Sequence, residues 1–96
     1  MKAITGKVQA GSYPSGDWWT GSGPREVTKH IDFPAGTFSS TPAVMAAISN
    51  LDASKAANVR IDAQVTNVSK NHCDIRISTW ADSKIASVVV SWIAVG

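Results

Sequence analysis

The stretch from Asn58 to Trp80 constrains the fold more than any other part of the chain. It runs from Asn58 to Thr66, through the polar Ser69-Lys70-Asn71, and on from Cys73 to Trp80, with apolar and polar residues alternating in both arms. A period of two predicts half-buried strands, and the polar cluster between them predicts an antiparallel hairpin. Residues paired across a hairpin share a face, so a slip of one residue inverts every side chain. A register in which paired numbers sum to 140 sets Ile61 against Thr79, Ala63 against Ile77 and Val65 against Ile75. It also pairs Asp62 with Ser78, Gln64 with Arg76, and Arg60 with Trp80 on the polar face. Shifting by one would set Val65 against Arg76 and mix the faces throughout. The hairpin therefore puts a guanidinium beside an indole at its open end, a pairing suited to a polar ligand with an apolar patch.

The flanking segments extend the same pattern. Gly6 to Gly11 reads as a short strand edged by glycines, with Val8 and Ala10 on one face. Ser12 to Pro24 is dense in glycine and proline and predicts a long loop of functional type. Of its adjacent Trp18 and Trp19, one is expected to plug the end of the fold and the other to line a ligand surface. Asp17, the sole acid of this loop, is either an acceptor for ligand hydroxyls or a turn-forming residue. Arg25 to Phe33 alternates again, with Val27, Lys29, Ile31 and Phe33 on one side. Pro42 to Leu51 is almost continuously apolar and predicts a strand covered on both faces. Ala86 to Val95 predicts a central strand with Trp92 in the core. Six short strands with Gly/Pro turns indicate one all-β domain over residues 1–96, an antiparallel β-sandwich.

Composition narrows the function. A chain of 96 residues buries only roughly 60–65% of its unfolded surface, so oligomerisation would be a sensible remedy. The net charge of +2 is dispersed, which argues against a nucleic-acid partner. No apolar run reaches membrane-spanning length, so no membrane insertion is expected. Met1 to Thr5 lacks the apolar core of a signal peptide. The expectation is an extracellular protein in its mature form, with synthesis in the cytosol as the other reading. The single cysteine, Cys73, reads as a buried strand thiol.

Catalytic signatures are missing. His72 and Cys73 are neighbours on a strand and point to opposite faces, and His30 has no partner at ligand spacing, so neither a zinc site nor a Cys–His nucleophile is expected. No serine stands in a Gly-x-Ser-x-Gly elbow, and Gly16 to Gly23 lacks the lysine of a phosphate loop. A non-enzymatic binding protein without cofactor or metal is the reading that remains. Asn67-Val68-Ser69 forms a glycosylation sequon at the hairpin turn.

The chain resembles the H-type lectins, the galactose/N-acetylgalactosamine-binding family that includes a snail agglutinin and the C-terminal domain of slime-mould discoidins. The matching words, in family order, are Gly6-Lys7-Val8, Arg25-Glu26-Val27 through Ile31-Asp32-Phe33, Pro42-Ala43-Val44 and Leu51-Asp52. Asn58-Val59-Arg60, Thr79-Trp80 and Ser91-Trp92-Ile93 complete the set. The resemblance implies a six-stranded antiparallel sandwich assembling as a homotrimer, in some members as a dimer of trimers, with sugar sites between protomers. It places the ligand-binding arginine at Arg60 and the binding tryptophan at Trp80. Ala81 and Ala86 stand where the snail lectin pattern has a histidine and an aromatic. Asp17 and Ser22 are rival occupants of the loop acid's role, and Trp18 or Trp19 could replace the aromatic wall. The implied function is a multivalent lectin for glycans bearing galactose or N-acetylgalactosamine. The alternative is a trimerising structural β-domain that binds no sugar.

Overall fold

In the computed structural model, residues 1–11 and 18–96 are described; Asp17 and the rest of the segment 12–17 lie outside them. Among the described residues the chain forms six strands: β1 (Ala3–Ala10), β2 (Arg25–Asp32), β3 (Ala43–Ala53), β4 (Ile61–Thr66), β5 (His72–Thr79) and β6 (Ile85–Val95). They pair antiparallel into two three-stranded sheets, ordered β1-β6-β3 and β2-β5-β4. The sandwich expected from the sequence is the fold observed, and β6 is central as its β-branched composition requires.

The hairpin register holds from Ile61–Thr79 inward, while the expected Arg60–Trp80 pair lies just beyond the end of the ladder. Ile61 lies opposite Thr79, Ala63 opposite Ile77, and Val65 opposite Ile75, with Asp62–Ser78 and Gln64–Arg76 between them. The inward residues of β5 are sealed: Cys73, Ile75 and Ile77 have no exposure and Thr79 almost none. They meet Ile85, Val88, Val90 and Ala94 of β6, also fully buried. Each such aliphatic side chain contributes about 1.5–3 kcal/mol through removal from water. One cluster centres on Ile75, Ile77, Val88 and Val90 and includes Trp18; a second joins Phe33, Phe38, Cys73 and Ala94. Trp92 packs against both, with its ring 6.0 Å from that of Phe33.

Two expectations need correction. β1 does not begin at Gly6 but runs through it from Ala3. Gly6 faces Trp92 across the ladder, and a Cβ built there would lie 2.6 Å from the indole. The glycine gives the tryptophan room inside a strand rather than ending one. β3, expected to be covered on both faces, is an edge strand open on its outer side. Met45 is 67% exposed, and Ile48 and Leu51 are exposed as well. A continuous apolar run cannot distinguish burial within one chain from burial by a partner, and here the chain itself covers only the inner side.

Candidate functional site

One end of the sandwich gathers three segments: the approach to β4 (58–60), the β5–β6 turn (80–84) and the loop entering β2 (18–24). Small buried hydroxyls bind the first two together. Ser83, fully buried, donates its Oγ hydrogen to the Asn58 carbonyl at 2.6 Å and accepts from the Arg60 amide at 2.8 Å. Thr79 at the end of β5 donates to the Arg60 carbonyl. Both hydroxyls are thereby satisfied, as burial demands. Arg60 and Trp80 flank Ile61–Thr79, the final pair of the β4–β5 ladder.

Arg60 points its Nη1 at the Asp82 carboxylate, an ion pair in which the arginine side chain is 35% exposed. Partial desolvation of Asp82 pushes its carboxyl pKa upward. The hydrogen bond from Arg60, with contributions from the Asp82 and Asn58 main chain, overrides this and holds it below the ordinary value. A guanidinium carries five N–H donors, so one bond to Asp82 leaves a fork for further oxygens. Trp80 is 42% exposed, a large apolar surface on the same rim. Ala81 takes a left-handed conformation (φ 59°), unusual for a residue with a Cβ. Its carbonyl accepts from the Gly23 amide at 2.9 Å, which brings the segment containing Ser22 against the turn.

Of the two tryptophans of the loop, one is buried, as expected, and the other is exposed. Trp18 is buried in the core, and its carbonyl accepts from the Ile85 amide. Trp19 is 39% exposed. Ser22 is exposed one residue before Gly23, while Asp17 lies outside the described residues. Ala86, at the start of β6, is half-buried. Sequence reasoning did not single out Asp82 or Ser83. The former follows Trp80 by two residues in a turn, where a carboxylate reads as a turn former. The latter is a serine whose burial no local pattern reveals.

Elsewhere the polar residues serve the sheet surface. His30 contacts Asp74 through Nδ1 at 2.6 Å and Asp32 through Nε2 at 2.8 Å. Among the described residues, no group of three or more His, Cys, Asp or Glu is arranged to hold a metal ion.

Comparison with known proteins places this arrangement. The family described as H-type lectin domain matches residues 28–95. A protein of Fuscovulum blasticum described as ATP synthase subunits region ORF 7 is 38% identical over 81 residues, 84% of this chain and 70% of that protein. Two structures of Dictyostelium discoideum discoidin II superpose with TM-scores of 0.81 and 0.82 at 22% identity, covering 98% and 99% of this chain. The chain spans 36% of the length of each discoidin chain, so that likeness speaks for the fold of the shared part. Strand pattern, sheet topology and the family match over β2 to β6 converge: this chain belongs to the H-type lectin family, a family of carbohydrate-binding proteins.

Proposed function

We propose that the protein is a multivalent lectin binding terminal galactose or N-acetylgalactosamine, in sites completed between protomers of a trimer. The observation that carries this reading is the Arg60–Asp82 pair on the rim that also bears the exposed Trp80. The carboxylate fixes the guanidinium, whose remaining donors match two neighbouring hydroxyls, and the indole offers a surface for the apolar side of a galactose ring. Ser22 and Trp19 border the same end, with Asp17 as the rival to Ser22 for a hydroxyl contact and Trp18 serving from the core side. Ala81 adds backbone rather than a side-chain donor, so the acetamido group gains no imidazole contact there. That favours galactose and N-acetylgalactosamine being bound with similar strength.

The open face of β3 and β6 supports the assembled form. Met45, paired with Ile93, and Ala43, paired with Val95, present apolar side chains outward. A single shallow site binds weakly, and several on one rigid assembly raise apparent affinity without new contacts. The same face also supports the second reading, a trimerising module without a sugar site.

A glycan array with titration of methyl galactoside distinguishes the two. The lectin reading expects binding to galactose-terminated glycans and its loss in Arg60→Ala, with the oligomer unchanged in sedimentation. Binding that survives Arg60→Ala with the same sugar preference would show the site to be elsewhere. An intact oligomer that binds no glycan would establish the assembly module instead.

A further inference from the structure

We infer that Arg25 is the positioning residue of this site: its guanidinium clamps the loop entering β2 to the turn that carries Trp80 and Asp82. The inference rests on the sugar-binding reading above. Arg25 opens β2 opposite Thr79, and its side chain ends among four main-chain carbonyls. Nε donates to Gly23 at 3.0 Å, Nη1 to Trp18 at 3.0 Å and to Ser83 at 2.9 Å, and Nη2 to Ala81 at 3.1 Å. Two acceptors belong to the loop and two to the turn. Among the described residues no carboxylate pairs with this guanidinium, whose donors go to carbonyl dipoles.

That choice has a structural logic. Carbonyls of a loop and a tight turn crowded at one point would repel each other and, if buried without donors, would be costly. A planar fork of five N–H groups answers several acceptors at once, which an ammonium cannot do in that geometry. The Gly23 amide repeats the link by donating to Ala81, and the Ile85 amide repeats it by donating to Trp18. Ala81, the acceptor shared by Gly23 and Arg25, is the residue held at positive φ. Donors from across the loop thus hold the turn in a conformation that its own residues do not favour. The rim bearing Trp80, Asp82 and, through Asp82, Arg60 is preorganised by this contact, and preorganisation is where weak sites gain affinity.

The test compares Arg25→Ala and Arg25→Lys with the unaltered protein, using calorimetric titration of methyl galactoside and amide hydrogen exchange. Lysine keeps the charge and protects against a variant that fails to fold. A positioning role expects Arg25→Lys to titrate at full stoichiometry with affinity weakened roughly tenfold, the scale of one lost charged hydrogen bond. Exchange at the Gly23 and Ile85 amides should accelerate in the same variant, while Arg76→Ala on the outer sheet face changes neither quantity. A purely structural residue would lower melting temperature and the titrating fraction but leave the affinity of the remaining sites alone, and that result overturns the inference. If the unaltered protein binds no galactoside while exchange still accelerates, the lectin reading fails and Arg25 is a structural clamp only.

Discussion

Along β5 the outward residues are His72, Asp74, Arg76 and Ser78, whereas along β6 they are Val89, Ser91, Ile93 and Val95. The neighbours follow suit. β2 and β4 add Glu26, Thr28, His30, Asp62 and Gln64 to the first surface, and Arg76 reaches Gln64 and approaches Glu26 at 3.8 Å. β3 adds Met45, Ala43 and Ala47 to the second. The two sheets share one core yet differ outward: the second surface is largely apolar along β3 and β6, while β1 edges it with Thr5, Lys7 and Gln9. A polar outer face is finished by water. An apolar one is finished by another molecule, and contiguous exposed apolar surface is what marks an interaction site. On the proposed function, the difference separates two tasks: one sheet supplies the hairpin that carries the candidate site, the other the surface on which copies of the chain would meet.

The strongest way to break that contrast is to make the second face resemble the first. Met45→Glu should leave the fold intact, because the side chain is already exposed, and should yield monomers in analytical sedimentation. Affinity for free sugar should fall with the loss of sites completed between protomers, and apparent affinity for a densely glycosylated surface should fall further, by about 10²–10⁴, the range multivalency confers. Thr28→Glu, on the polar face, should alter neither assembly nor stability by more than about 0.5 kcal/mol.

A second variant tests the inner side of the apolar sheet. Gly6→Ala forces a methyl against the Trp92 indole, an overpacking expected to cost about 1–3 kcal/mol in denaturant unfolding. At the rim of the polar sheet, Ala81→Gly should do the opposite. Relief of the left-handed strain exceeds the added chain entropy, leaving a gain of about 0.5–1 kcal/mol in the same measurement.

The smallest effect belongs to the outer polar face itself. Both nitrogens of His30 face carboxylates, Asp74 and Asp32, an arrangement that only the imidazolium satisfies by donating twice. The hydrogen bond to Asp74, then that to Asp32, raise the His30 pKa above 6.5, while the bond from His30, then that from Asn67, lower the Asp74 pKa below 3.8. The His30 contribution is complete below about pH 6.5 and is lost as pH rises through its raised value. The Asp74 contribution is complete above about pH 3.8 and is lost as pH falls through its lowered value. Melting temperature should therefore peak between these limits, with a shallow alkaline decline that His30→Gln removes. The His72 ring lies 5.3 Å from that of His30, tilted by 45°, with its Nδ1 buried and unpartnered among the described residues, so the His72 ring is the control to substitute next.

How much of this was legible in the sequence depends on how far apart the interacting residues lie. The β4–β5 register could be read outright, because a period of two leaves one pairing that keeps Val65 off the polar face. The sandwich followed from six such segments, and the family words led to Arg60 and Trp80. Gly6 was read as a strand end because its reason for being glycine, Trp92, stands at the far end of the chain. Arg25 was invisible as a clamp: its acceptors are backbone carbonyls at positions 18, 23, 81 and 83, and carbonyls carry no sequence signature. The outer side of β3 was misjudged for a different reason, since apolarity specifies that a surface is covered without saying by whom.

Cys73 offers a consequence of the packing that bears on measurement. Its thiol is fully buried in the Phe33–Phe38–Ala94 cluster, and burial, then the nearby Asp74 charge, raise its pKa. A thiol reagent in water meets neither an accessible sulfur nor a thiolate while the sheets stay together. Labelling of this one sulfur is thus a clock for separation of the two sheets, readable under native conditions without denaturant. The same clock run with and without a bound sugar would report, from the opposite end of β5, how far occupancy of the rim steadies the whole sandwich.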